Sequence, residues 1–104
     1  MHKSNEYAVF ENNKFRKDID RLEKCYPREI GAIKGKLATQ LRINPYDCGE
    51  RVEYSTSTKY GIYRVCDSTD FLEFEITSMP IFSIVYRITD DNVELLRIIQ
   101  NHEQ

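Results

Sequence analysis

Two layers, an N-terminal strand and a hairpin of helices packed on an antiparallel sheet of four to five strands, are what the sequence predicts. Three features carry this α+β reading. Between residues 60 and 99 the chain reads Y-G-I-Y-R-V-C, F-L-E-F-E-I-T and I-F-S-I-V-Y-R-I-T-D-D-N-V-E-L-L-R-I-I, β-branched and aromatic runs separated by polar turns. The last run is a hairpin by its own pattern, because Asp and Asn in Thr89-Asp90-Asp91-Asn92 tolerate left-handed backbone and bond their own main chain. Ahead of it, apolar residues recur every three or four positions, the period of helices that bury one face. Helices in succession followed by strands in succession give a two-layer α+β domain, expected to span residues 1–104.

The elements follow in order. Residues 6–11 are a short apolar run ending at Asn12-Asn13, a strand at or near a sheet edge. Asn13 suits an N-cap, and Phe15, Ile19 and Leu22 share one helical face, so a first helix is expected over residues 14–25, ended by Tyr26-Pro27. Asp18, Asp20, Arg21 and Lys24 then read as solvated surface. Pro27 suits the first position of a second helix and Glu29 its first turn. Ile30, Ile33, Leu37 and Leu41 form its buried stripe, and Asn44-Pro45 ends it. Residues 46–59 carry only a turn at 47–50 and a few strand-like residues at 52–54.

Strands are expected over residues 60–65, 71–77, 81–88 and 93–99. In the second of these, Leu72, Phe74 and Ile76 oppose Phe71, Glu73 and Glu75, giving one buried and one acidic, wet face. Phe82, Ile84, Tyr86 and Ile88 share a face, and neither side of their strand is strongly polar, which places it centrally. Strict alternation over residues 93–99 sets Leu96 and Ile98 against Leu95, Arg97 and Ile99. The polar end of the chain, 100–104, is expected to fray.

Charge is unevenly spread. The first 48 residues hold ten Lys/Arg against seven Asp/Glu, and the remainder five against ten. A protein that grips nucleic acid through its sheet shows the opposite bias. Cys25, Cys48 and Cys66 are scattered without C-x-x-C spacing, and His2 and His102 are the only histidines, so free thiols and no metal or other cofactor are expected. No apolar run reaches the length of about 18 residues that crosses a bilayer, and the start lacks a signal-like stretch, so the expected location is the cytoplasm.

The helical hairpin ending in Asn44-Pro45, the Y-G-I-Y-R-V run and I-V-Y-R-I-T-D-D-N-V-E-L-L-R-I-I with its short polar tail resemble the RelE/ParE superfamily of bacterial toxins from toxin–antitoxin pairs. The likeness runs from Tyr7 onward. It implies an antitoxin partner and, in the branch that cuts mRNA on the ribosome, an endoribonuclease (mRNA interferase) whose sheet surface is basic and aromatic. There, cations stabilise phosphate charge while a carboxylate, histidine or tyrosine moves protons. The family's G-x-R-x-x-Y reads here as Ile81 to Tyr86, with Ser83 in the arginine's place.

The resemblance leaves Arg64, Arg87 and His102 as candidate catalytic groups, Glu50 or Glu53 as a carboxylate, and Tyr63 as a base-stacking, substrate-binding residue. Each has another reading: Arg64 and Arg87 as sheet arginines paired with Glu73, Glu75 or Glu94, and His102 as a solvated tail residue. The alternative function is a non-enzymatic member of the superfamily, directed at gyrase or another protein, or a homodimer. Convergence decides the matter, since groups that act on one phosphate must open onto one surface.

Overall fold

The computed structural model describes residues 6–47, 50–51, 62–68 and 81–100. The strand-like runs at 52–54 and 71–77, and the chain end from 101, lie outside them. Helix α1 (Asn13–Cys25) starts one residue earlier than the sequence pointed to, because Asn12 supplies the cap. Its side-chain oxygen accepts from the Phe15 amide at 2.8 Å, satisfying one of the amides a helix start leaves without a partner. Asn12→Ala is expected to cost about 1 kcal/mol, read as a lower urea midpoint at unchanged slope. Helix α2 (Pro27–Ile43) follows after the single residue Tyr26. The Tyr26 amide donates to the Leu22 carbonyl and its own carbonyl accepts from the Ile30 amide, so one residue closes one helix and opens the next.

The strands are β1 (Ala8–Glu11), β2 (Glu50–Arg51), β3 (Ile62–Asp67), β4 (Phe82–Thr89) and β5 (Asn92–Gln100), in the spatial order β1-β5-β4-β3-β2. The expected central strand is central, and the N-terminal strand is at the edge. Pairing is antiparallel except that β1 runs parallel to β5, which makes the sheet mixed. The parallel neighbours β1 and β5 are joined by a long connection, which runs through the helical hairpin and then through β2, β3 and β4. Asp90 takes the left-handed φ of 51° in the β4–β5 turn.

Phe82, Ile84, Tyr86 and Ile88 face the helices, meeting Phe15, Ile19 and Leu22 of α1 and Ile30, Ile33, Leu37 and Leu41 of α2. Each such side chain fully removed from water contributes roughly 1.5–3 kcal/mol. On β5 the buried residues are Val93, Leu95 and Ile98, so Leu95 and Ile98, which alternation set on opposite sides, share the core face. A bulge causes the change: Tyr86 pairs with Leu95 and Val85 with Arg97, leaving Leu96 as an extra residue that resets the alternation.

Asp18 also departs from expectation. It is only 3% exposed, turned from α1 onto β5 rather than into water. Its carboxylate accepts from Arg97 Nε at 2.7 Å, from Arg97 Nη2 at 3.1 Å and from the Ile98 amide at 3.1 Å. The bond to Ile98 caps a β5 amide beyond the reach of β1, whose pairing stops at Leu95. No helix among the described residues is long and apolar enough to cross a membrane.

Candidate functional site on the open sheet face

Opposite the helices, the register lines up four side chains in one row across the sheet. Phe10 of β1 pairs with Glu94 of β5, Glu94 with Arg87 of β4, and Arg87 with Tyr63 of β3. Arg87 is gripped from both sides. Its Nη2 forms an ion pair with Glu94 Oε1, and its Nη1 donates to Tyr63 Oη at 3.4 Å. The guanidinium carbon lies 5.8 Å from the centre of the Tyr63 ring. Partial burial disfavours the charged form of Arg87, but the bonds to Tyr63 and Glu94 more than offset this, so its pKa rises and the cation is locked in. Arg87 Nε is buried with no hydrogen-bond partner among the described residues. A pocket of about 400 Å³ opens beside the row, lined by Phe10, Asn12, Arg87, Thr89, Asn92 and Glu94.

Tyr63 and Arg87 are therefore brought together, and Arg64 is not brought to them. Arg64 pairs with Tyr86, on the helix side. There its Nε donates to Tyr86 Oη at 3.3 Å and its Nη2 to the Tyr46 carbonyl at 3.2 Å, with the guanidinium 5.4 Å from the Tyr46 ring centre. Tyr86 Oη in turn donates to the Pro45 carbonyl at 2.8 Å. Arg64 thus ties the segment after α2 to the sheet. Arg64 and Arg87 open onto opposite faces, as neighbouring strand positions must, and cannot share one phosphate.

His102 and Glu53 lie outside the described residues, and Glu50 is placed only by its backbone in β2. Ser83 Oγ donates to Asp67 Oδ1 at 3.0 Å, which adds an acid to the same face. Arg97 is turned aside to Asp18. Sequence reasoning reached Glu94 as a cross-strand partner but not as a site residue. It missed Phe10, because nothing in a short apolar run announces a parallel pairing with β5.

A second concavity lies on the helix side, between β1, α1 and α2. It measures about 360 Å³ and is lined mostly by apolar side chains, among them Val9, Phe10, Ile33 and Leu37, with Glu11, Arg16 and Lys34 as its charged members. Phe10, 55% exposed, stands at the sheet edge and borders both concavities. Ala8 donates its amide to the Asp91 carbonyl in the β4–β5 turn at 2.9 Å, and Asn12 donates its amide to the Leu95 carbonyl of β5 at 3.1 Å. By strand alternation the amides of Val9 and Glu11 then point to the outer edge.

Cys25 is an exposed free thiol, and Cys66 is buried. No cluster of three or more His, Cys, Asp and Glu suited to a metal occurs among the described residues.

These elements define a RelE-like α+β fold, and comparison with solved structures bears this out. The chain is similar to a chain of the toxin–antitoxin complex RelBE2 from Mycobacterium tuberculosis, with 18% identity and a TM-score of 0.65 over 99% of this chain and 100% of that one. It is also similar to the conserved hypothetical protein HP0894 from Helicobacter pylori, with 18% identity and a TM-score of 0.53 over 91% of this chain and 94% of that one. No protein-family model and no curated protein matches the sequence.

Proposed function

We propose that this chain is the toxin-type component of a bacterial toxin–antitoxin pair, acting in the cytoplasm. The apolar cleft between β1, α1 and α2 carries the reading, because it lies beside an open strand edge on a RelE-like fold. An antitoxin segment suits that place, its backbone pairing with the outward amides of β1 and its apolar side chains entering the cleft. The toxic act is ribosome-dependent mRNA cleavage on the open face. Glu94 receives the 2′-hydroxyl proton, Arg87 stabilises charge on the phosphate, and Tyr63 and Phe10 stack bases. His102 serves as proton carrier to the leaving group, on the strength of the resemblance.

One observation favours a second reading. Where the RelE/ParE pattern has an arginine, Ser83 bonds to Asp67, and an acidic face suits a protein target or a second copy of the chain better than RNA. Overexpression in a bacterial host is expected to arrest growth, and a co-encoded small protein to relieve the arrest. Unimpaired growth with abundant folded protein would sink the toxin reading and leave only self-association of the chain. Arrest with intact mRNA would leave the protein-directed one.

A further inference from the structure

The solvent side of α1 carries a basic ladder that the functions above leave unused. Lys14, Lys17, Arg21 and Lys24 follow one another at spacings of three, four and three residues, which places them on one helical stripe. All four are exposed, on the side away from Phe15, Ile19 and Leu22. The stripe is roughly 15 Å long, with a cation about every 5 Å. Among the described residues Lys14, Lys17 and Lys24 make no ion pair. Arg21 reaches only Asp18 among the described residues, at 3.4 Å, and that carboxylate is already held by Arg97.

The surrounding charge reinforces the stripe. The helical hairpin from Asn13 to Ile43 holds nine Lys/Arg and four Asp/Glu, and one of those acids, Asp18, is turned inward. The acidic open face of the sheet is a helix diameter and a sheet layer away, roughly 20 Å. That distance exceeds two screening lengths of about 8 Å at physiological salt, so the hairpin presents a basic surface despite the chain's net charge of −2.

We infer that this stripe docks on the phosphate backbone of a nucleic-acid double helix, independently of the open face and its chemistry. Composition separates this partner from an acidic protein. Protein interfaces are depleted in lysine and built around an apolar or aromatic centre, whereas the stripe is three lysines and an arginine with no apolar member. Regularly spaced, flexible cations suit a phosphate row, where each neutralised phosphate releases a condensed counterion. The contact is read as charge and shape, with no base specificity.

Fluorescence anisotropy of the full chain with labelled 20-base-pair RNA and DNA duplexes of mixed sequence tests this. With four phosphate contacts the slope of log K against log salt is about −3.6, so affinity falls roughly 100-fold between 50 and 200 mM NaCl. Lys14→Gln, Lys17→Gln and Lys24→Gln combined should bring the slope near −1, with helix content kept because glutamine matches lysine in propensity. Asp20→Lys, which adds a cation beside the stripe, should tighten binding and steepen the slope, and it decides the question if the triple variant does not fold. Tighter binding of the RNA duplex would name RNA as the source of the phosphates, and equal binding would name the backbone alone. No binding of either duplex at 50 mM salt, an unchanged slope in the folded triple variant, or capture of polyglutamate in place of both duplexes would overturn the assignment.

Discussion

Asp18→Asn is expected to lower stability by about 2–3 kcal/mol at neutral pH, a fall of some 10–20 °C in Tm. The carboxylate is buried and accepts both Arg97 and the Ile98 amide, joining α1 to β5. An amide at this position keeps one acceptor oxygen and turns its NH2 group toward a cation. Arg97→Met should be the worse change, because it strands a buried charge, whereas Asp18→Asn leaves an arginine that water can reach. The double variant should then recover part of the loss, which a double-mutant cycle in urea would register. Burial raises the Asp18 pKa, but the bonds from Arg97 and Ile98 and the charges of Arg97 and Arg21 outweigh it, so the net shift is downward. A depressed folded pKa means that its contribution is complete above about pH 4, the unfolded value, and disappears as pH falls through the folded one. The gap between wild type and Asp18→Asn should therefore narrow in acid. A gap that is constant from pH 7 down to pH 2 would show that the charge of Asp18 contributes nothing.

Asp18 also marks where sequence legibility ends. The helices could be read because their buried stripes repeat at three and four residues and because Pro27 and Asn44 punctuate them. The β4–β5 hairpin could be read because two apolar runs flank an Asp-Asp-Asn turn. By those same rules Asp18 is a surface acid; its partner lies 79 positions away and no periodic pattern contains it. The bulge at Leu96 is invisible for a related reason. Alternation assumes a perfect ladder, and one extra residue puts Leu95 on the same face as Ile98. The candidate site divided in the same way. Parity along β3 already set Arg64 against Tyr63, and the structure gives Arg64 to the helices and Tyr63 to the open face. Phe10 joins Tyr63 and Arg87 only through a parallel edge pairing, which depends on the whole chain closing up.

Arg87→Ala is expected to slow ribosome-dependent mRNA cleavage by at least about 100-fold, the usual consequence of removing a preorganised group that faces developing charge. Tyr63 and Glu94 hold the guanidinium in one place, so little reorganisation is needed when a phosphate arrives. Arg87→Lys should rescue little, because an ammonium cannot reproduce the planar fork that meets Tyr63 and Glu94 together. Glu94→Gln keeps the shape and removes the proton acceptor, and a loss of similar size, in the range of about 100- to 10,000-fold, would identify it as the base. Arg64→Ala provides the contrast. It frees the segment after α2 by removing the bonds to Tyr86 and Tyr46, so it should lower Tm while leaving the rate of the folded protein largely unchanged. The measurement is primer extension on mRNA held in purified ribosomes, with antitoxin affinity and melting recorded for each variant. If Arg87→Ala cleaves as well as wild type, or Arg64→Ala abolishes cleavage without unfolding, the open-face row is not the centre. If the wild type arrests growth and cuts no message, Arg87 and Glu94 are a structural ion pair and the acidic face around Asp67 becomes the surface on which to seek a protein target.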